Sequence, residues 1–189
     1  MKIGKSVQLK FFEDREVKSF GGKLLKGKRK GKRPFSPKAS IHVVLKSSKA
    51  KQNWSFWKKN NKELIESIVR KQAQLHFVRL YRFENVGTHI HLVIRVKIRQ
   101  YFRRFLRAVT GLIARSVMGA ERDHAILGEE ESFWDYRPFT RLIHWGRDFR
   151  NIRFYMDKNY YETQGYNAIQ ARFLVQIDRD WQEFFLSTS

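Results

Sequence analysis

The order of apolar periodicities along the chain predicts an α+β protein: a ferredoxin-like (split β-α-β) antiparallel four-stranded sheet with helices, plus a basic N-terminal arm and a C-terminal helix. Three observations predict it. Short β-branched runs of period two alternate with longer stretches of period 3.6, in the order β-α-β-β-α-β-α-α. The second and third strand-like runs are separated only by a glycine-containing turn, as in a hairpin. The chain has 189 residues with 42% hydrophobic side chains and 16 Phe, enough for the core of one domain of ordinary size.

The elements follow in order. Residues 1–36 read as a basic arm, because Lys23 through Lys38 holds eight Lys or Arg and no acid, interspersed with Gly27, Gly31 and Pro34. Within it, Val7 to Phe20 carries enough apolar residues to dock on the body. Residues 37–165 form the body. Ser40 to Lys46 is the first strand. Asn60 with Glu63 three residues on has capping-box spacing, and Leu64, Ile65, Ile68, Val69 and Leu75 follow at helical spacing. Phe77 to Phe83 alternates apolar and basic, Glu84 to Gly87 forms the turn, and His89 to Val96 is apolar enough for a central strand. Ile98, Tyr101, Phe102, Phe105, Val109, Leu112, Ile113 and Val117 mark one face of a long helix. After an acidic run at Glu129 to Glu131, Thr140 to Trp145 suggests a last strand, with a helix from Arg147 to Tyr161 behind Gly146. Phe149, Ile152, Met156 and Tyr160 define its expected buried face. Residues 166–189 make a C-terminal extension, with a helix expected over 167–185.

Charge gives the partner class. Lys and Arg number 39 against 18 Asp and Glu, a net of +21. Such a surface attracts polyanions, and nucleic acid is the default because its phosphates release condensed counterions on binding. The absence of cysteine excludes disulfides, thiolate metal sites and thiol nucleophiles. No apolar stretch reaches the length of a membrane span or follows Met1 as a signal would, so a cytoplasmic, nucleoid-associated protein is expected, without membrane contact.

The chemistry-bearing residues begin with His89 and His91. On a strand they point the same way, with Ile90 pointing into the opposite layer. Two imidazoles on one rigid strand can hold a metal, although two hydrogen-bonded strand histidines would give the same spacing. Tyr155 and Asn159 lie four apart on the later helix and share a face. Tyr155 can serve as a phenolate nucleophile and Asn159 as a third metal ligand through its amide oxygen. Tyr160, with Gln164 four residues on, is a rival nucleophile, and Tyr161 a weaker one. A metal-bound phosphate attacked by a tyrosine is the chemistry such a set supports. His42, His76, His124 and His144 have no partner spacing and read as surface or core residues. Of the five tryptophans, Trp54 and Trp57 lie in a Lys/Asn-rich stretch and are the first choice for stacking on unpaired bases. Low-specificity phosphate contacts are expected from Lys28, Arg29, Lys30 and Arg33 of the arm, from Arg99, Arg103 and Arg107 of the long helix, and from Arg137 and Arg141 beside the last strand.

His89-Ile90-His91 resembles the His-hydrophobic-His motif of single-tyrosine (HUH-type) transposases. Phe133-Trp134, followed by Tyr155-Met156-Asp157-Lys158-Asn159, resembles the signature of the REP-associated tyrosine transposases. The resemblance spans roughly 37–165. It implies Mg²⁺ or Mn²⁺, single-stranded or hairpin DNA as partner, and a 5′-phosphotyrosine at Tyr155. It also implies His89, His91 and Asn159 as metal ligands. Imidazole chemistry alone would favour Zn²⁺, Ni²⁺ or Cu²⁺. Tyr160 stands where that group usually has proline, and insertion-sequence relatives carry glutamine where this chain has Asn159. Relatives include both monomers and homodimers. A non-catalytic basic binding domain and a domesticated hairpin-processing enzyme are the competing readings.

Overall fold

The computed structural model describes residues 19–25, 31–119 and 132–187, with side chains up to 179. The basic triplet Lys28-Arg29-Lys30, most of the Val7–Phe20 segment, His124, the Glu129–Glu131 run and the Trp181 side chain lie outside the described residues.

Among the described residues, strands and α-helices follow in the order β1 (Ser19–Phe20), β2 (Ser40–Lys46), α1 (Lys59–Leu75), β3 (Val78–Asn85), β4 (His89–Val96), α2 (Arg99–Met118), β5 (Phe139–Ile143), α3 (Arg147–Thr163) and α4 (Ala168–Ser187). One antiparallel open sheet runs β1-β5-β2-β4-β3. The four strands from β2 onward take the split arrangement, with β2 and β4 central and the hairpin partner β3 outside.

The sheet has five strands rather than the four that the sequence predicts. The added β1 comes from the stretch read as a basic arm: Ser19 pairs with Arg141 and Phe20 with Thr140. It covers an edge of β5 that would otherwise present unpaired backbone groups. Two residues are too short to show an alternating pattern, so nothing in the sequence marks them. Gly21 makes the pairing possible. Its φ is +90°, and a Cβ there would stand 2.1 Å from the Pro138 carbonyl oxygen. Arg33 then ties the same edge, donating from Nη1 to the Pro138 carbonyl at 2.8 Å and to Thr140 Oγ1 at 2.7 Å, with its guanidinium 4.6 Å from the Phe20 ring centroid.

Period two assigns the two faces. Ile41, Val43 and Leu45 of β2 and Ile90, Leu92 and Ile94 of β4 point to one side. There they meet Ile65, Val69 and Ala73 of α1 and Phe102, Phe105, Val109 and Ile113 of α2 in the main core. Truncating a buried Phe of that layer would cost about 3–5 kcal/mol. The other side carries a smaller cluster, in which Val93 and Ile143 of the sheet meet Ile152 and Met156 of α3, with Tyr81 and Phe149 at its margin. The protein therefore has three layers: α1 and α2, the sheet, then α3, on which α4 packs.

Several local expectations shift. Helix α1 starts at Lys59, and its N-cap Lys58 makes no side-chain cap bond. Asn61, not Asn60, is the structural amide, donating to the carbonyls of Asn53 and Ser55 at 2.9 Å each. Phe77 lies outside β3, at φ +51° and exposed. Tyr160 is exposed rather than on the buried face of α3. Strand β3 has a bulge between Leu80 and Arg82. The extra residue lets Tyr81 and Arg82 both serve the α3 side while Leu80 and Phe83 stay with the main core.

The edge strand supplies a test of the Gly21 argument. Gly21→Ala should lower the unfolding free energy by roughly 1–3 kcal/mol through strain at positive φ and the clash with Pro138. Urea denaturation measures it. An unchanged midpoint would show that β1 contributes nothing to the sheet.

Candidate active site

Because Ile90 and Leu92 are committed to the main core, His89 and His91 must point into the α3 layer. The His89 and His91 ring centroids are 5.6 Å apart. Strand β2 adds a third imidazole on the same face. His42 alternates with core residues Ile41 and Val43, and its ring stacks on that of His91 at 5.4 Å with planes 11° apart. His42 Nε2 lies 3.2 Å from His91 Nδ1, and His89 Nδ1 lies 2.7 Å from Thr88 Oγ1. When both Nδ1 atoms carry the proton, His91 donates to His42 and His89 donates to Thr88. Each Nε2 then keeps its lone pair for a metal, and each ring is fixed from behind by a partner.

Helix α3 brings the phenol. Tyr155 sets its ring edge-on to His91 at 5.9 Å and to His42 at 6.4 Å. It remains 45% exposed, so a substrate can reach it. The helix is held by more than apolar contact. Arg82 of β3 bridges Glu84, at 2.8 Å, and Asp157 of α3. At the start of α3, Asp148 accepts from Arg141 at 2.6 Å and from the His144 backbone N–H at 3.1 Å. A carboxylate in that first turn also complements the helix dipole. Asn159 follows Tyr155 by one turn and is half-buried, without a hydrogen bond to His89 or His91.

Burial sets the electrostatics. It pushes His42 down to about 4, with help from the Arg141 charge, and His91 down to about 3, with help from His42 and His89. His89 is also lowered, mainly by burial and then by Lys46. All three are thus neutral near pH 7, the form a metal needs. Glu84, opposite His91 in register, is raised by burial despite its bond to Arg82. Among the described residues, no three His, Asp or Glu gather around one metal position.

The predicted residues are distributed unequally. His89, His91 and Tyr155 converge. Tyr161 instead bonds Asp178 of α4, which pushes its phenol up to about 12, and among the described residues neither it nor Tyr160 makes a ring contact with a histidine. Arg33 turns inward to the β5 edge, and Arg99 donates to the Arg33 carbonyl at 2.7 Å. Arg103 and Arg107 are exposed, but α2 lies on the opposite side of the sheet from the histidines. Arg141 is held by Asp148, and Arg137 is exposed. Trp54 packs on the main core, while Trp57 is half-exposed, with its indole N–H on the Asn85 carbonyl. Sequence reasoning missed His42 and the Arg82–Asp157 bridge. Period two puts His42 opposite core residues, but only the register of β2 on β4 reveals its partner.

No family model and no curated protein matches this chain. Among solved structures, one described as a "putative transposase" from Deinococcus radiodurans R1 is similar at 18% identity, over 69% of this chain and 98% of that one, with a TM-score of 0.43. Among the described residues, no helix is long and apolar enough to cross a membrane.

The neutral histidines make stability depend on pH. Their folded pKa values lie below the value of 6.5 for a free imidazole, so the unfolded chain takes up protons first. Stability is then full above pH 6.5 and falls as pH drops toward 4, by on the order of 1 kcal/mol per pH unit for each histidine held neutral. Urea midpoints between pH 7 and pH 4, with chelator present, should show this loss, and His42→Gln should reduce the slope. Equal slopes in the two proteins would contradict the buried neutral state of His42.

Proposed function

We propose that the chain is a metal-dependent single-stranded DNA nuclease of the transposase type, which cuts and rejoins hairpin-bearing ends through a phosphotyrosine at Tyr155. The observation that carries the reading is the convergence of an exposed phenol from α3 on His91 of β4 and His42 of β2, with His89 beside His91.

The residues fit a divalent cation with room for substrate. Both Nδ1 atoms are engaged, which leaves two Nε2 ligands, and Asn159 would add its amide oxygen. Two imidazoles and one amide leave further positions for phosphate oxygens and water. When bound, Mg²⁺ or Mn²⁺ would draw charge from a non-bridging phosphate oxygen. The chain does the rest. Tyr155 Oη forms a bond to phosphorus as the bond to the 3′-oxygen breaks. The phenolic proton passes to solvent water at the exposed ring, the leaving 3′-oxygen takes a proton from water, and the 5′-phosphate remains on the tyrosine. The phosphodiester energy is conserved, so the 3′-hydroxyl of the same or another strand can reverse the step without ATP. His42 acts as a positioning residue, fixing the tautomer and orientation of His91. Tyr155 and the histidines come from one chain, so a monomer can hold a complete site.

Tyr155→Phe should abolish a covalent adduct with labelled single-stranded hairpin DNA on a denaturing gel, while binding stays within a few-fold and Tyr160→Phe retains the adduct. An adduct that survives Tyr155→Phe would overturn the assignment. No adduct from the wild type with any hairpin from the gene's flanks would leave a binding protein without catalysis. His42→Ala should weaken Mn²⁺ binding, followed by electron paramagnetic resonance, by about 10- to 100-fold, and His42→Gln should recover part of it. Unaltered Mn²⁺ affinity in His42→Ala would remove His42 from the site.

A further inference from the structure

A second group of residues faces away from Tyr155. Successive residues of a helix are rotated by about 100°, so Arg150, Arg153, Asp157, Tyr160 and Tyr161 lie on the side of α3 roughly opposite the phenol. With Arg82 of β3 and Asp178 and Arg179 of α4 they wall an open cleft of about 450 Å³. That size is in the range of about 300–1,000 Å³ typical of ligand clefts, which suits one or two nucleotide units.

The charges in the cleft are unbalanced. Four guanidiniums face two carboxylates, and both carboxylates are already engaged, Asp157 by Arg82 and Asp178 by the Tyr161 hydroxyl. Arg150, Arg153 and Arg179 have no ion-pair or hydrogen-bond partner among the described residues. Unpaired guanidiniums around one concavity present forked donors suited to phosphate oxygens. Tyr160 sits on the same wall and is 45% exposed, and Phe154 also lines the cleft. An exposed ring between phosphate-seeking cations is the arrangement that holds a base by stacking and its backbone by charge.

We propose that this cleft between α3, α4 and the β3 edge is a binding site for single-stranded nucleic acid, separate from the histidine–tyrosine cluster, with phosphodiesters on Arg150, Arg153 and Arg179 and a base on Tyr160. The proposal takes from the proposed function only the choice of nucleic acid over other polyanions. It needs neither the metal nor the Tyr155 chemistry. It gives Tyr160 a binding role. A strand seated there would lie on the outer flank of the helix that carries the nucleophile.

The test is fluorescence anisotropy of the full chain with a labelled thymidine oligomer of about ten nucleotides, in chelator, over a range of salt. Arg150→Gln with Arg153→Gln should weaken binding by at least about tenfold and make the log–log salt slope shallower by about 1.4, or about 0.7 for each phosphate no longer neutralised. Lys71→Gln with Lys97→Gln, an equal removal of charge at exposed positions outside the cleft, should have a smaller effect. Tyr160→Ala should weaken the thymidine oligomer but not an abasic oligomer of the same length. Binding is measured in chelator and without strand cleavage, so a failure of the catalytic reading would leave this result standing. Equal effects from the two charge-removing pairs would overturn the site. So would inorganic tripolyphosphate binding that depends on Arg150 and Arg153 while oligomer binding does not, because the cleft would then take a small polyphosphate instead.

Discussion

The docking of α3 on the second face of the sheet is the constraint on which the candidate chemistry depends. Val93 and Ile143 offer a small apolar patch, Ile152 and Met156 fill it, and Arg82 bridges to Asp157 at its border. That packing fixes the rotation of the helix. With Ile152 and Met156 inward, Tyr155 is directed to the β2–β4 side, over His42 and His91, and Arg150, Arg153 and Tyr160 are turned to the outer flank. A helix rotated by one residue, about 100°, would lose both arrangements. The bridge is partly exposed, so its own stabilisation is modest. Its contribution lies in specifying one rotation among several that similar apolar burial would allow.

The sheet divides the labour between its faces. The side toward α1 and α2 is almost wholly aliphatic and aromatic and supplies most of the burial. The side toward α3 has a smaller apolar cluster and three buried or half-buried imidazoles, a composition that costs desolvation. Neutral histidines reduce that cost, and hydrogen bonds with His42 and Thr88 compensate part of what remains. The protein thus places most of its apolar burial on one face and its imidazole cluster on the other. That separation also puts the exposed arginines of α2 one layer away from the histidines.

Much of the fold was legible because period two and period 3.6 differ strongly in this chain. β2, α1, β3, β4, α2, β5 and α3 all lie within a few residues of where the apolar pattern puts them. The alternation in His89-Ile90-His91 is enough to send both imidazoles to one face once Ile90 is assigned to the core. Three features were not legible. β1 is two residues long and depends on a backbone geometry at Gly21 that composition does not announce. His42 joins the cluster through the register of β2 on β4, and register is set by long-range pairing. Arg33 looks like a phosphate-seeking cation in the sequence, yet it is half-buried and used on the Pro138 carbonyl and Thr140 at the β5 edge. An arginine's sequence context gives its charge but not whether that charge meets solvent.

The proposed chemistry needs one phenol, that of Tyr155 beside the neutral imidazoles of His91 and His42, to take the phosphate. The most direct measurement is peptide mapping by mass spectrometry of the chain after reaction with single-stranded hairpin DNA and Mn²⁺. A nucleotide mass is expected on the peptide that contains Tyr155, at that residue. The same mass on Tyr160 or Tyr161, or no modified peptide from a reaction in which the DNA has been cut, would contradict it.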